Sequence, residues 1–311
     1  MCTSTLAADR RRPFGRFFDT LSHMPDASTH HPIAVLPKGE QRSILWHGIL
    51  VFFATGGLSI AAAQKAGFSG GYAPSAAISV PYILTVVFLG TLMLVMALKT
   101  IKKPAIFQAL FTFAMLSGAW FIADIYLRPE FALVAGSLIV LLRFVWKSVL
   151  TANLTLVVGI AGIAAGIAAD LSPNAVIILL AVLSFYDIVA VYRTRHMVKM
   201  FRALTSHGVV LAFILPPLRL RELVARPTGD APGRAMLLGT GDVAVPAMLA
   251  AAALRVGVVP AVASLAGAAA GFALMFMLFL AQPKRAPMPA LPPIALGATA
   301  GYLISLLILA P

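Results

Sequence analysis

Two aspartates, Asp187 and Asp242, stand inside long apolar stretches of this chain, where an ionisable side chain is expensive and usually functional. Asp187 lies six residues before Arg193 and Asp242 eight after Arg234, the basic residues that bracket the intervening loop. At 1.5 Å of rise per helical residue, both carboxyls lie roughly 9 to 12 Å deep from the same side. Two such groups close together in a low dielectric cannot both ionise. They share a proton and titrate as a coupled pair, the property needed for general acid–base chemistry. Asp124 and Asp170 differ, because each lies within a few residues of an outer span end, where a carboxylate reaches headgroup water.

The neighbours of the pair sharpen this reading. Asp242 ends Gly239-Thr240-Gly241-Asp242, whose two glycines remove side-chain bulk and let another backbone approach. Tyr186 places a phenol beside Asp187 in sequence. Pro289-Ala290-Leu291-Pro292-Pro293 begins four residues past Arg285, at about 6 Å depth from the same side. Prolines this dense are expected to prevent a regular helical start and to leave backbone carbonyls unpaired. Aspartic proteases use a carboxyl pair of this kind.

The elements that must position these residues follow from composition. Of the 311 residues 60% are hydrophobic and 11% charged, and the net charge is +13. Mean hydropathy is +0.94. Residues 1–42 and 193–234 hold ten charges each of the 35 in the chain. Such clustering excludes a soluble enzyme, a disordered chain and a nucleic-acid-binding domain. Cys2 is the sole cysteine, which excludes a disulfide framework and a cysteine metal site. No His and Cys ligand set lies in the spans, so neither metal nor cofactor is expected.

Apolar runs long enough to cross ~30 Å of hydrocarbon recur nine times. They cover 43–63, 75–98, 104–127, 131–146, 150–169, 173–192, 235–254, 258–281 and 289–309. The expected fold is an all-α polytopic membrane protein with nine transmembrane helices. Residues 1–42 read as a polar, disordered cytosolic tail, 43–192 as spans one to six, 193–234 as a cytosolic loop and 235–311 as spans seven to nine. With the N-terminus cytosolic and the C-terminus outside, 21 basic residues fall on the cytosolic side and three, Lys65, Arg128 and Arg255, outside. An even number of spans would put the most basic loop on the wrong side. Glycines at helical spacing (Gly162 and Gly166, Gly267 and Gly271, Gly297 and Gly301) suit close helix packing in lipid. In the 193–234 loop, Met197–Leu204 suits a surface helix. The run Val209, Val210, Leu211, Ala212, Phe213, Ile214 and Leu215 is too short to span as a helix and reads as a strand or re-entrant segment, or equally as an interfacial anchor.

Taken together, Tyr186-Asp187 in the sixth span, Gly239-Thr240-Gly241-Asp242 in the seventh and Pro289-Ala290-Leu291-Pro292 opening the ninth resemble the three signatures of the presenilin and signal peptide peptidase family of intramembrane aspartyl proteases. The resemblance covers spans six to nine by motif and spans one to five by count. Thr240 departs from the leucine frequent there. The resemblance implies that Asp187 and Asp242 form the catalytic dyad, supported by Tyr186, Gly239, Thr240, Gly241, Pro289, Ala290, Leu291 and Pro292. It further implies that Val209–Leu215 pairs with an unwound substrate strand. Substrates would be transmembrane helices with their N-terminus outside, cut without accessory subunits; nucleic acid is not an expected partner, and a homo-oligomer stays open. The chain would be a multi-pass protein of the plasma membrane if its source is prokaryotic. Two readings compete, a transporter or channel using the pair as a proton or ion relay, and a prepilin-type peptidase.

Overall fold

The computed structural model describes residues 37–68, 80–100, 104–194, 212–224, 235–282 and 288–309. Six helices lead the chain: α1 (Lys38–Lys65), α2 (Val80–Thr100), α3 (Pro104–Tyr126), α4 (Pro129–Val145), α5 (Val149–Ala168) and α6 (Pro173–Val189), the last prolonged by a π-helical turn at Ala190–Thr194. After them come strand β1 (Ala212–Leu215), the short helix α7 (Leu220–Val224), strand β2 (Met236–Gly239), and helices α8 (Thr240–Ala253), α9 (Val258–Ala281) and α10 (Leu291–Leu309). Among the described residues, α1, α3, α5, α6, α9 and α10 contain segments long and apolar enough to cross a membrane. The helices α2, α4 and α8 overlap the other three predicted spans.

Predicted spans four and five are separate helices. Ser148 separates them by capping α5: its hydroxyl accepts the Thr151 N–H, and the Thr151 side chain accepts the Ser148 N–H. Ser172 caps α6 with a single bond, its hydroxyl accepting the Ala175 N–H, and Pro173 stands in the first turn, where its missing N–H is no loss.

Two expectations need correction. The first helix begins at Lys38 rather than 43, so the end of the supposed polar tail is helical. The seventh predicted span, 235–254, opens as a strand and becomes helical only at Thr240. A strand forms there because β1 is available as its partner: the two run antiparallel with Ala212 opposite Gly239, Phe213 opposite Leu238, Ile214 opposite Leu237 and Leu215 opposite Met236.

The first turns of α1 hold the segment that follows β1. Glu40, Ser43 and His47 recur at spacings of three and four, on one face of α1. Glu40 pairs with Arg219 at 2.9 Å, Ser43 Oγ accepts the Leu218 N–H at 2.7 Å, and His47 Nδ1 lies 3.0 Å from the Pro216 carbonyl. A carbonyl only accepts, so Nδ1 carries the proton.

Helix α8 is central, packed against α1, α5, α6, α9 and α10. Ala247 and the run Ala250–Ala253 are buried on it, and side chains this small allow helices to approach from all sides. Phe52 of α1 packs on Phe272 of α9 with ring centroids 5.3 Å apart, beside Phe276. Gly267 of α9 lies against the Gly297 backbone of α10, and Gly162 of α5 against that of Gly118 on α3, which accounts for two of the glycine pairs noted above. Gly166 meets only the Phe121 ring, at ordinary van der Waals distance.

Candidate active site

Asp242 occupies the third position of α8, whose N-cap is Gly239. From there its carboxyl reaches back and accepts the Gly239 N–H, the acidic half of a capping box. The approach is close: a Cβ on Gly239 would stand 2.8 Å from Asp242 Oδ2, so any side chain there displaces the carboxyl. Gly241 is different, since a Cβ on it would meet nothing within 4 Å. The open space lies on the exposed side of the first turn of α8.

Asp187 comes from the last turn of α6 and is buried. Its Oδ2 accepts the Leu291 N–H at 3.2 Å, and the Ala290 N–H also bonds this carboxyl. The dense prolines explain this geometry and correct the expectation placed on them. Helix α10 does start regularly, at Leu291, with Pro292 and Pro293 in its first turn. There the missing N–H groups leave no bond unmade. The donors that remain at this helix end, on Ala290 and Leu291, turn to Asp187, which caps a helix other than its own. Each carboxyl therefore sits at a helix N-terminus, where the backbone presents N–H groups and the positive end of the helix dipole.

Helices α6, α8 and α10 pack pairwise against one another. The two carboxyls are near enough for the charge on Asp187 to act on Asp242. Asp187, Asp242, Gly239, Gly241, Ala290 and Leu291 are thus gathered in one place. Thr240 opens α8 and is half-buried, Pro289 is buried, and Pro292 is half-buried in the first turn of α10. Tyr186 is not gathered with the buried Asp187: it is 47% exposed on α6, and its neighbour Phe185 is 70% exposed. Successive helical residues point about 100° apart, which is why adjacency in sequence did not bring the phenol inside.

Of the predicted substrate strand, Ala212–Leu215 forms β1, while Val209, Val210 and Leu211 lie outside the described residues, as does the predicted surface helix Met197–Leu204. One edge of β1 faces β2. At the other, the Asn153 side chain from α5 is bonded to both backbone groups of Ile214: Nδ2 donates to the carbonyl at 2.6 Å and Oδ1 accepts the N–H at 3.0 Å. Sequence reasoning passed over Asn153, the Glu40–Ser43–His47 face and β2. The cost of a lone amide in an apolar helix was the available signal for the first.

A family model described as signal-peptide peptidase, presenilin aspartyl protease matches residues 47–310. The chain belongs to that family. Two solved structures, each described as a presenilin family intramembrane aspartate protease, share the fold. One, in a C222 space group, has a TM-score of 0.60 at 20% identity and covers 85% of this chain and 99% of its own. The other, in a P2 space group, has a TM-score of 0.60 at 21% identity and covers 84% of this chain and 96% of its own. No curated protein matches the chain. Membership makes this an integral membrane protein of an intramembrane aspartic protease family and disfavours the ion-relay and prepilin-peptidase readings.

Proposed function

We infer that this chain hydrolyses peptide bonds within transmembrane helices of other membrane proteins, with Asp187 and Asp242 as its catalytic dyad. The observation that supports the reading is that one of these carboxyls lies at the N-terminus of α8 and the other at that of α10, on mutually packed helices in a bundle with membrane-length members. One carboxyl takes a proton from a water whose oxygen attacks the scissile carbonyl carbon, and the other gives its proton to the carbonyl oxygen. The tetrahedral diol then collapses: the C–N bond breaks, and the departing nitrogen takes up a proton. The clear space beside Gly241 receives the substrate backbone.

A helix hides its amides, so the substrate must be unwound, and in a membrane each N–H and C=O so freed costs several kcal/mol unless it is paired. The two-stranded sheet supplies the partner. Asn153 occupies Ile214 on the outer side of β1, so Phe213 and Leu215 point their backbone groups at β2, and Leu238 and Met236 answer them. Leu237 therefore faces the far edge of β2, two residues before the N-cap of the Asp242 helix. That edge, rather than the one along Val209–Leu215, is where the substrate strand adds.

All nine predicted spans cross the membrane in this reading, with the N-terminus cytosolic as the distribution of basic residues favours. Substrates then have their N-terminus outside, and the chain works without accessory subunits. The test is incubation of the purified, detergent-solubilised chain with a synthetic transmembrane peptide and mass spectrometry of the products. Internal cleavage that a transition-state-analogue aspartyl protease inhibitor blocks is expected; an intact peptide contradicts the reading.

A further inference from the structure

Asn153 is 6% exposed, the single amide side chain of a helix whose other polar side chains are Thr151 and Thr155, and its side-chain bonds go to Ile214 rather than to either carboxyl. A side-chain amide carries one carbonyl and one N–H group side by side, as a peptide unit does. Here both are spent on a single strand residue, so α5 presents to β1 what a third strand would present. An edge treated in this way accepts no further strand. Protein groups fill one edge of this sheet at Ile214, while on the other edge no described residue outside the sheet bonds to Leu237.

We propose that Asn153 is a positioning residue that closes the unproductive edge of the sheet and fixes its register, so that substrate is received only along β2 and with one bond at the dyad. The proposal rests on the protease reading above. Its physical basis is the geometry of strands: a slip of one residue moves the chain by about 3.4 Å and turns every side chain to the opposite face. Because β2 runs directly into the N-cap of the Asp242 helix, a sheet free to slide or to accept a strand on the wrong edge presents neighbouring bonds to the dyad.

Full-length wild type, Asn153→Leu and Asn153→Asp are compared on one synthetic transmembrane peptide, with KM, kcat and the distribution of cut bonds measured, and with dyad labelling by a photoreactive transition-state analogue as the measure of an intact site. Leucine keeps the volume and removes both hydrogen bonds. The expected result is a KM raised about tenfold, as for two lost hydrogen bonds. Cleavage should spread to adjacent bonds while labelling is retained. Aspartate keeps the acceptor for the Ile214 N–H and should fall between. Cleavage of the same single bond at wild-type KM by Asn153→Leu overturns the proposal, as does loss of labelling in parallel with activity. If Asn153→Leu does not fold, the same two readouts on Asn153→Asp decide. Cleavage that survives Asp242→Asn, or a wild type that cuts nothing, overturns the protease reading instead and takes this proposal with it.

Discussion

At the scale of single residues, the two glycines of Gly239-Thr240-Gly241-Asp242 have different tasks. Gly239→Ala places a methyl against Asp242 Oδ2, so the carboxyl must leave its N-cap position. Both turnover and inhibitor labelling should fall, turnover by about tenfold or more, as expected when a catalytic group is misplaced by an ångström. Gly241→Ala meets no protein atom. Thermal stability should be unchanged or slightly higher, since alanine favours a helix over glycine by up to about 1 kcal/mol. Cleavage should nevertheless drop if substrate occupies that space; full activity in Gly241→Ala would place the substrate elsewhere. Catalysis by a coupled pair also requires one carboxyl ionised and one protonated, which gives a bell-shaped dependence of kcat/KM on pH. A profile flat from acidic to neutral pH would contradict the pair.

At the scale of elements, what was legible in the sequence depended on whether a local signal existed. Ser148 and Ser172 announce the starts of α5 and α6, and the two aspartates could be placed at one depth by counting from Arg193 and Arg234. Met236–Gly239 gave no such signal: four apolar residues leading into an apolar helix carry no periodicity that distinguishes strand from helix, and only the partner strand decides. The Glu40, Ser43 and His47 face was read as tail and span start because its partners, Arg219, Leu218 and Pro216, lie far along the chain. Removing one anchor tests the role of that face. His47→Ala leaves the buried Pro216 carbonyl unpaired and should lower stability by about 1–3 kcal/mol, visible in thermal unfolding in detergent; an unchanged midpoint would mean that α1 does not hold the sheet. The sheet's working edge has its own test. Leu237→Pro removes an N–H that points away from β1, so the sheet should persist and inhibitor labelling survive, while cleavage falls about ten- to hundredfold. Wild-type cleavage by Leu237→Pro would exclude strand addition at β2.

At the scale of the whole molecule, a charge asymmetry along the chain is joined to a pair of carboxyls inside the bundle. The 21 to 3 division of basic residues predicts a cytosolic N-terminus, and that orientation would decide from which side the carboxyls, the sheet and the start of α10 are approached. In a Cys2→Ser background, a membrane-impermeant thiol reagent added to intact cells should label Arg128→Cys, between α3 and α4, and spare Gln282→Cys, after α9. The reverse pattern would invert the topology and the predicted polarity of substrates. The central claim is chemical, however, and one measurement tests it most directly: products from a synthetic transmembrane peptide incubated with purified wild type, Asp187→Asn and Asp242→Asn, each shown to be folded. Internal cleavage is expected from the wild type and none above background from either variant, because an amide of the same size cannot exchange the shared proton. Near-normal cleavage by either variant would contradict that claim.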